Sequence, residues 1–278
     1  MKEYVGRSFD EERAFYGCRG VRLINCAIAG ERDGESAFKE CRNVEAQKCL
    51  FELRYPFWHD KGVKISDCTM SEGCRAALWY SRGIVLENTV MHGVKALREC
   101  ADADMSGCEI RSPEFGWFSR GVKMKNCRVE SEYFFLKARR LELEGVDFTG
   151  KYSFQYVRDA HLRNCTLSTK DAFWHSVNVT VENCLVKGEY TGWYAQNLTF
   201  RNCRIEGTQP LCYCKGVKLI DCQMINTDLC FEKSDVSARL TTPVLSIKNP
   251  RSGEIFAPAV GEVIRDDPAS CCRIVTQG

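Results

Sequence analysis

Short runs of alternating apolar and polar residues recur along the chain at a nearly constant interval. Residues 20–28 (GVRLINCAI) return as 62–70 (GVKISDCTM), 121–129 (GVKMKNCRV) and 197–205 (NLTFRNCRI). Apolar residues stand five and three positions before the cysteine of each run and alternate with polar or charged residues. This alternation predicts a short strand with one buried face. An apolar residue two positions after the cysteine predicts a second short strand.

The cysteine of each run is the anchor from which positions in the repeat are counted. The anchors, with the residues that replace a cysteine, are Cys26, Cys49, Cys68, Thr89, Cys108, Cys127, Val146, Cys165, Cys184, Cys203 and Cys222. Eight of the ten intervals are 19 residues, and the other two are 23 and 21. A fixed period of this length indicates a repeat protein in which each turn packs on its neighbours.

Residues that favour bends separate the strands within each repeat. Asn or Asp often precedes the anchor, and Gly, Asp or Asn occupies most positions six before it. These residues tolerate the left-handed backbone that a tight corner needs. A third short strand contains aromatic residues, so each repeat has three strands and three bends.

This pattern predicts an all-β protein, a single-stranded right-handed parallel β-helix of about 11 coils of 19 residues, capped at both ends. The alternative solenoid, a leucine-rich repeat, has a period of about 20 to 29 residues and usually includes a helix. We expect an N-terminal cap at 1–16, the β-helix at 17–235 and a β-rich C-terminal cap at 236–278, because the repeat decays there. Caps cover the open edges of the end coils.

Composition and charge narrow the class of protein. Hydrophobic residues make up 44% of the chain and charged residues 27%, as in a globular protein. A net charge of +2 leaves no basic footprint for nucleic acid. The apolar runs are too short to span a bilayer, and the N-terminus lacks the apolar core of a signal peptide. We therefore expect a cytoplasmic protein with neither a nucleic-acid nor a membrane partner.

The chain contains eighteen cysteines, of which nine are anchors. A second column, eight positions before the anchor, contains Cys18, Cys41, Cys100 and Cys214 among small residues. Such columns are typical of interior packing by reduced thiols, although a disulfide scaffold is the alternative. No Cys-x-x-Cys spacing occurs, so the sequence predicts no metal site and no cofactor.

The tryptophans occupy a single column, ten positions before the anchor: Trp58, Trp79, Trp117, Trp174 and Trp193. The preceding column is apolar or Gly throughout, which favours an outward direction for tryptophan. In a straight strand the following column, with His59, Glu99, Lys137 and His175, would then point inward, unless the chain bends between the two columns. Both orientations remain open at this point.

Aromatic rings with polar tips along one face are suited to sugar binding. The predicted carbohydrate-binding residues are the five tryptophans together with Tyr80, Tyr156 and Tyr194. The alternative is that the rings only pack the coils together. Two carboxyl groups that flank a bond suit glycoside hydrolysis, so the catalytic candidates are the polar residues on or near the aromatic strand: Arg98, Glu99, Asp102, Asp104, Lys137 and His175. A solvated corner of charged residues is the alternative, and it explains this set better than a catalytic site does.

The segments 79–88 (WYSRGIVLEN) and 193–203 (WYAQNLTFRNC) resemble the repeat of an uncharacterised bacterial family of right-handed parallel β-helix proteins in the pectin-lyase-like superfamily. The resemblance covers residues 15–235. It implies an oligosaccharide or polysaccharide ligand and, if the protein is an enzyme, a glycoside hydrolase or polysaccharide lyase-like activity. The paired Asp, Gly-His-Gly and Arg-x-Lys motifs of polygalacturonase-like members are absent from the coils. A non-catalytic interaction scaffold is therefore the second hypothesis.

Overall fold

A computed structural model describes residues 1–32 and 34–277. Asp33, in the predicted β-helix, and Gly278, in the predicted C-terminal cap, lie outside the described residues. Within those two ranges every regular element is a β-strand, and no helix is present that could cross a bilayer. The chain divides into two compact units, unit 1 (Met1–Glu142) and unit 2 (Leu143–Gly278).

Unit 1 contains the first nineteen strands and the start of the twentieth. They are β1 (Lys2–Val5), β2 (Ser8–Phe9), β3 (Arg19–Ile24), β4 (Ala27–Ile28), β5 (Arg42–Gln47), β6 (Leu50–Phe51), β7 (Phe57–Trp58), β8 (Lys61–Ser66), β9 (Thr69–Met70), β10 (Leu78–Trp79), β11 (Arg82–Glu87), β12 (Val90–Met91), β13 (Leu97–Arg98), β14 (Ala101–Ser106), β15 (Glu109–Arg111), β16 (Glu114–Phe115), β17 (Arg120–Lys125), β18 (Arg128–Ser131), β19 (Tyr133–Phe134) and β20 (Arg139–Glu144), which contains the boundary between the units.

The strands of unit 2 that follow β20 are β21 (Asp147–Gly150), β22 (Arg158–Arg163), β23 (Thr166–Ser168), β24 (Val177–Glu182), β25 (Leu185–Lys187), β26 (Gln196–Arg201), β27 (Arg204–Glu206), β28 (Val217–Ile225), β29 (Asp235–Leu240), β30 (Val244–Lys248), β31 (Ser252–Ala257), β32 (Val260–Ile264) and β33 (Arg273–Thr276).

Each unit is a parallel β-solenoid, as the repeat predicts. In unit 1 the residues five before the anchor lie level with one another from coil to coil: Val21 pairs with Val44, Val44 with Val63, and Val63 with Ile84. All four side chains are buried. In unit 2 Val179 pairs with Leu198 in the same way, and both are fully buried. The alternation of the sequence therefore becomes a continuous ladder of interior side chains.

Residues 1–32 and 34–277 form about fourteen turns, more than the eleven or so that the sequence predicts. The additional turns include β1, which pairs in parallel with β3, and β29, β31 and β33, which follow the last cysteine-marked coil. Ser8 is level with Ala27, the residue after the anchor Cys26, so Arg7 occupies the anchor position of the first coil. Thr241 follows Cys222 by 19 residues and occupies the anchor position of the coil after it. Without the cysteine the end coils are not recognisable from the repeat.

The predicted bends are left-handed. The residue before the anchor has a positive φ, as at Asn25 (51°), Asp67 (54°) and Asn202 (48°). The residue six before the anchor does too, as at Gly62 (72°) and Asn178 (55°). Glycine, asparagine and aspartate are the residues that adopt this conformation most readily, which explains their positions in the repeat.

The cysteines are interior packing residues. All eighteen are free thiols, and only Cys18 and Cys271 are not buried. The anchors bond to neighbouring coils: the backbone N–H of Cys49 donates to Sγ of Cys68 (3.2 Å), and that of Cys165 donates to Sγ of Cys184 (3.2 Å). No group of three or more His, Cys, Asp or Glu side chains in the described ranges is placed to hold a metal ion.

Candidate functional site: two aromatic columns

The aromatic segment of each coil, which is a short strand at β7, β10 and β13 and a turn in unit 2, ends in a left-handed residue. This bend decides where the aromatic side chains point. Phe57 and Leu78, at the start of β7 and β10, are fully buried, whereas Trp58 and Trp79 are half-buried on the outside. The next residue also points outward, because it has a positive φ. Of the two orientations that the sequence left open, the structure shows tryptophan facing outward, and the bend removes the conflict with the polar residues that follow it.

Two outward columns therefore lie side by side. The tryptophan column comprises the residues ten before the anchor. The outer column comprises the residues nine before the anchor from Glu40 onward, and all of its members are left-handed, with φ between 52° and 63°: Glu40, His59, Tyr80, Glu99, Phe118, Lys137, Tyr156, His175, Tyr194 and Tyr213.

In unit 1 the faces of the tryptophan rings are covered by neighbours in the same column. Trp58 and Trp79 stack with their ring centroids 5.6 Å apart and their planes 11° from parallel. The Lys39 ammonium lies 4.5 Å from the Trp58 ring, and the Arg98 guanidinium lies 5.8 Å from Trp79 and 5.4 Å from Trp117. Stacked rings and cations over ring faces both stabilise the column, and they leave the ring edges to solvent.

In unit 2 Trp174 and Trp193 stack with centroids 5.3 Å apart and planes 4° from parallel. Each indole N–H also donates to a backbone carbonyl oxygen of the next coil, Trp174 to Tyr190 (2.7 Å) and Trp193 to Gln209 (2.7 Å). In unit 1 Trp117 donates to the carbonyl of Tyr133 in the same way (3.3 Å). The tryptophan column thus ties successive coils together.

The outer column is more exposed and is also stacked. In unit 2 the ring centroids of Tyr156, His175, Tyr194 and Tyr213 follow one another at 4.8, 4.9 and 4.9 Å. Tyr156 is 45% exposed and Tyr194 42%. At the end of this ladder the Tyr213 hydroxyl donates to Glu232 (3.2 Å), and burial together with that carboxylate raises the pKa of Tyr213 to about 12. In unit 1 His59 and Tyr80 form a shorter ladder, 4.8 Å apart.

The predicted catalytic residues do not form one constellation. Arg98 Nε lies 3.2 Å from Glu99 Oε1, and Arg98 Nη1 lies 3.8 Å from Glu114 Oε2, which also lies 3.6 Å from Lys95. Arg98 therefore fills the tryptophan column and pairs with two carboxylates.

The other candidates lie at separate places. Asp102 and Asp104 point outward from β14, and Asp102 lies 4.0 Å from Arg140. Lys137 lies over the Phe118 ring at 5.8 Å. His175 belongs to unit 2, where it stacks between Tyr156 and Tyr194.

One buried carboxyl group was not among the candidate residues predicted from the sequence. Asp60 stands eight before its anchor, in the column of small residues, and is fully buried. Its Oδ1 atom accepts the backbone N–H of Cys41 (2.7 Å), while Oδ2 has no partner among the described residues. Burial raises the pKa of Asp60 to about 8. A single acidic residue in a column of Cys, Ser, Ala and Val is the signal that identifies it.

A column of basic residues was missed as well. Arg or Lys stands seven before the anchor in eight of the eleven marked coils, and the first four in succession are Arg19, Arg42, Lys61 and Arg82. All four side chains are exposed. A small net charge for the whole chain conceals such a column, because acidic residues elsewhere balance it.

The profile of a family described as "Protein of unknown function (DUF3737)" matches residues 2–275. Among proteins of curated function, none matches the chain. The chain is similar in structure to a mannuronic acid specific polysaccharide family 6 lyase from human gut microbiota, with a TM-score of 0.42, 9% identity, and coverage of 99% of this chain and 83% of that chain.

Two further solved structures are similar to the chain. The A-module of the mannuronan C-5 epimerase AlgE4 from Azotobacter vinelandii has a TM-score of 0.36, 11% identity, and coverage of 86% of this chain and 89% of that one. QnrB1, a plasmid-mediated fluoroquinolone resistance protein, has a TM-score of 0.23, 16% identity, and coverage of 81% and 89%. At these values the likenesses support no conclusion about activity.

Proposed function

The chain belongs to the DUF3737 family of proteins of unknown function, and we propose that it is a carbohydrate-binding protein whose ligand lies along the outer column. The observation that carries this proposal is a ladder of stacked rings that are exposed, with Tyr156 45% and Tyr194 42% exposed. Tyr156, His175 and Tyr194 have φ values of 56°, 53° and 58°. A non-glycine residue in this region costs on the order of 1–3 kcal/mol. Left-handed rings also occur inside the coil, at the fully buried Phe154 and Phe173, so exposure is what distinguishes the outer column. The rings of the outer column reach solvent.

The exposed parts of these rings match what a sugar chain offers. Because the ring faces are stacked, the outer column presents apolar ring edges, phenol hydroxyls and imidazole nitrogens. Coils of a parallel solenoid are spaced by about 4.8 Å, so a chain that runs along the column meets one ring edge and one polar tip per coil. Apolar contact combined with a few positioned polar groups is the usual composition of a ligand site.

The charged residues beside the columns support binding without cleavage. Glycoside hydrolysis by two carboxyl groups requires both to face the same bond. Glu99 is paired with Arg98, and Asp102 lies beside Arg140. Each carboxylate is held by its own cation instead of facing a partner carboxylate.

A non-catalytic interaction scaffold is the second candidate. It is favoured by the tryptophan column, in which ring faces are covered and the indole N–H groups of Trp117, Trp174 and Trp193 are bonded to backbone carbonyls. In that case the aromatic residues stabilise the coils and have no ligand. The eighteen free thiols support placing either kind of protein in the reducing cytoplasm.

A glycan array followed by calorimetric titration tests the proposed function. We expect wild-type protein to bind at least one oligosaccharide, and we expect Tyr156→Ala with Tyr194→Ala to weaken that binding about tenfold, which equals ~1.4 kcal/mol. The matched control is Leu245→Ala, which removes a side chain that is 56% exposed in the same unit but outside both columns. Its affinity should equal that of the wild type.

The proposal fails if no oligosaccharide binds, or if the tyrosine pair and Leu245→Ala have equal effects. Release of reducing ends or unsaturated products from a bound oligosaccharide would show cleavage and contradict the non-catalytic part of the proposal. Far-UV circular dichroism of each variant checks that the coils remain folded.

A further inference from the structure

The basic column of unit 1 is a ladder of like charges in direct register. Arg19 pairs with Arg42, Arg42 with Lys61, and Lys61 with Arg82, each in the neighbouring coil. Strands in a sheet lie about 4.8 Å apart, so the backbone positions of these four basic residues follow one another at about that spacing. Like charges directly opposite one another on adjacent strands destabilise a sheet.

Within residues 1–32 and 34–277 the side chains of Arg19, Arg42, Lys61 and Arg82 form no ion pair and no hydrogen bond. The positive charges of Arg82 and Arg42 also lower the pKa of Lys61.

In the column four before the anchor, by contrast, the charged side chains form ion pairs with one another. Three residues further along, the column four before the anchor alternates in sign, and Arg22 lies 3.6 Å from Glu45 and 3.5 Å from Glu3. Lys123 lies 3.5 Å from Glu142 in the same column. The unbalanced charge is therefore specific to the column seven before the anchor.

The basic column lies next to the outer column. Only one residue, whose side chain is buried, separates His59 from Lys61 and Tyr80 from Arg82. A shallow groove between the two columns is lined by Arg42, His59 and Lys61 together with Glu40 and Cys41. Glu40 is the acidic group in this groove, and it accepts a hydrogen bond from the Tyr16 hydroxyl (3.0 Å).

We propose that the ligand of this groove is an acidic polysaccharide, with carboxylates along the basic column and sugar rings along the outer column. This inference rests on the proposed carbohydrate-binding function and specifies the charge of the ligand. Regularly spaced carboxylates supply the counter-charges that the four cations lack. Guanidinium groups bind carboxylates through bidentate hydrogen bonds, and three of the four cations are arginines.

Single-stranded nucleic acid is the other polyanion to consider. Proteins that bind it stack the bases on open aromatic faces. Here the His59 and Tyr80 rings are stacked on each other at 4.8 Å and 15°. This stacking covers one face of each ring and leaves less open face for nucleobases, which favours a sugar chain.

The experiment compares an oligogalacturonide with its methyl ester, which has the same sugar chain without the charges, and with single-stranded DNA. We expect wild-type protein to bind the oligogalacturonide at least about tenfold (~1.4 kcal/mol) more tightly than the ester, and added salt to weaken the binding. The triple variant Arg42→Gln, Lys61→Gln and Arg82→Gln should lose this preference.

The matched control is Arg22→Gln, Lys64→Gln and Lys123→Gln, which removes three cations from the column four before the anchor. It should keep the preference for the acidic chain. Thermal unfolding of both variants shows that each is folded, and the basic-column variant should be the more stable of the two because its repulsion is relieved.

Three results would overturn the inference: equal affinity for the acid and the ester, an equal loss of affinity in both triple variants, or tighter binding of DNA than of the oligogalacturonide. Equal affinity for acid and ester leaves the proposed carbohydrate-binding function intact and rejects only the charged ligand. Absence of binding to either sugar chain and to every glycan on the array rejects both.

Discussion

The Oδ1 atom of Asp60 accepts a hydrogen bond of 2.7 Å from the backbone amide of Cys41, one coil earlier, and both residues are fully buried. Serine performs this task in other coils: Ser81 accepts the N–H of Asp60 (3.0 Å), and Ser119 accepts that of Cys100 (3.1 Å). A carboxyl group at this position adds a second oxygen that has no partner in the described part of the chain. It also adds a titratable group to the interior.

The first prediction concerns pH. The pKa of Asp60 rises from its ordinary value of 3.8 to about 8, chiefly through burial, with a smaller contribution from the Glu40 carboxylate and an opposing one from the Cys41 N–H. Between these values the folded protein binds more protons than the unfolded chain, so the free energy of unfolding falls as pH rises from about 4 to about 8. Asp60→Ser should remove this fall, which is on the order of a few kcal/mol because one pKa unit equals about 1.4 kcal/mol.

Urea unfolding at pH 5, 7 and 8.5 measures this effect as the difference between Asp60→Ser and wild type. We expect the variant to gain relative stability with rising pH and to level off above about pH 8. Asp67→Ser removes an exposed carboxylate from the same coil and is the control, with a difference that does not change over this range. A difference for Asp60→Ser that is the same at all three pH values contradicts the prediction.

The second prediction compares the stability lost when a hydrogen-bonded indole N–H and an unbonded one are removed. Trp174→Phe keeps the stacked ring but removes the N–H that donates to the Tyr190 carbonyl (2.7 Å). It should lower the free energy of unfolding by about 1 kcal/mol or more, because a carbonyl loses its partner. The Trp79 indole N–H is buried without a partner among the described residues. Trp79→Phe removes that unsatisfied donor and should cost less, as chemical denaturation of both variants will show.

The third prediction concerns the repulsion in the basic column. Lys61 lies between Arg42 and Arg82, whereas Lys64, in the same strand β8, lies between Glu45 and Val85. Lys61→Gln should therefore raise the melting temperature, and Lys64→Gln should leave it unchanged or lower it. Because both side chains are at the surface, the difference between the variants should shrink as salt is added. Identical shifts for the two variants would show that the column is not repulsive.

The fourth prediction concerns thiol reactivity. In the native protein a thiol reagent should modify exposed Cys271 quickly and partly buried Cys18 slowly, and the other sixteen only after unfolding. Burial raises the pKa of Cys100 and of Cys214 to about 12 each, which keeps them protonated and unreactive. Counting modified thiols by mass spectrometry before and after denaturation checks this. Rapid native modification of an anchor such as Cys127 would contradict the buried ladder.

The repeat could be predicted from the sequence because its physical causes are local. Apolar residues five and three before the anchor define one face of a strand, and Asn or Gly at the bends reports left-handed backbone directly. Val63 and Gly62 therefore lie where the pattern places them. The end coils were missed, since Arg7 and Thr241 lack the cysteine that marks the others.

The candidate site was only partly predictable. The columns of Trp58 and His59 are visible in the sequence, but nothing in those residue types indicates a left-handed bend between them, because aromatic residues seldom adopt that conformation. The position of Arg98 between Trp79 and Trp117 likewise depends on the register of three coils. The grouping of Arg98, Glu99, Asp102 and Asp104 as catalytic candidates came from closeness in sequence, whereas in the structure Glu99 pairs with Arg98 and Asp102 lies beside Arg140.

The sequence by itself determined the period, the buried faces of the strands, the interior place of the cysteines and the alignment of all five tryptophans, since each follows from residues a few positions apart. The tertiary structure decided which surface each ring shows, because stacking between coils covers both faces of His175 and Tyr194 and leaves their edges. It also decided which charges are balanced. Arg42 and Lys61 are 19 residues apart in the chain and become neighbours only when the coils stack in register.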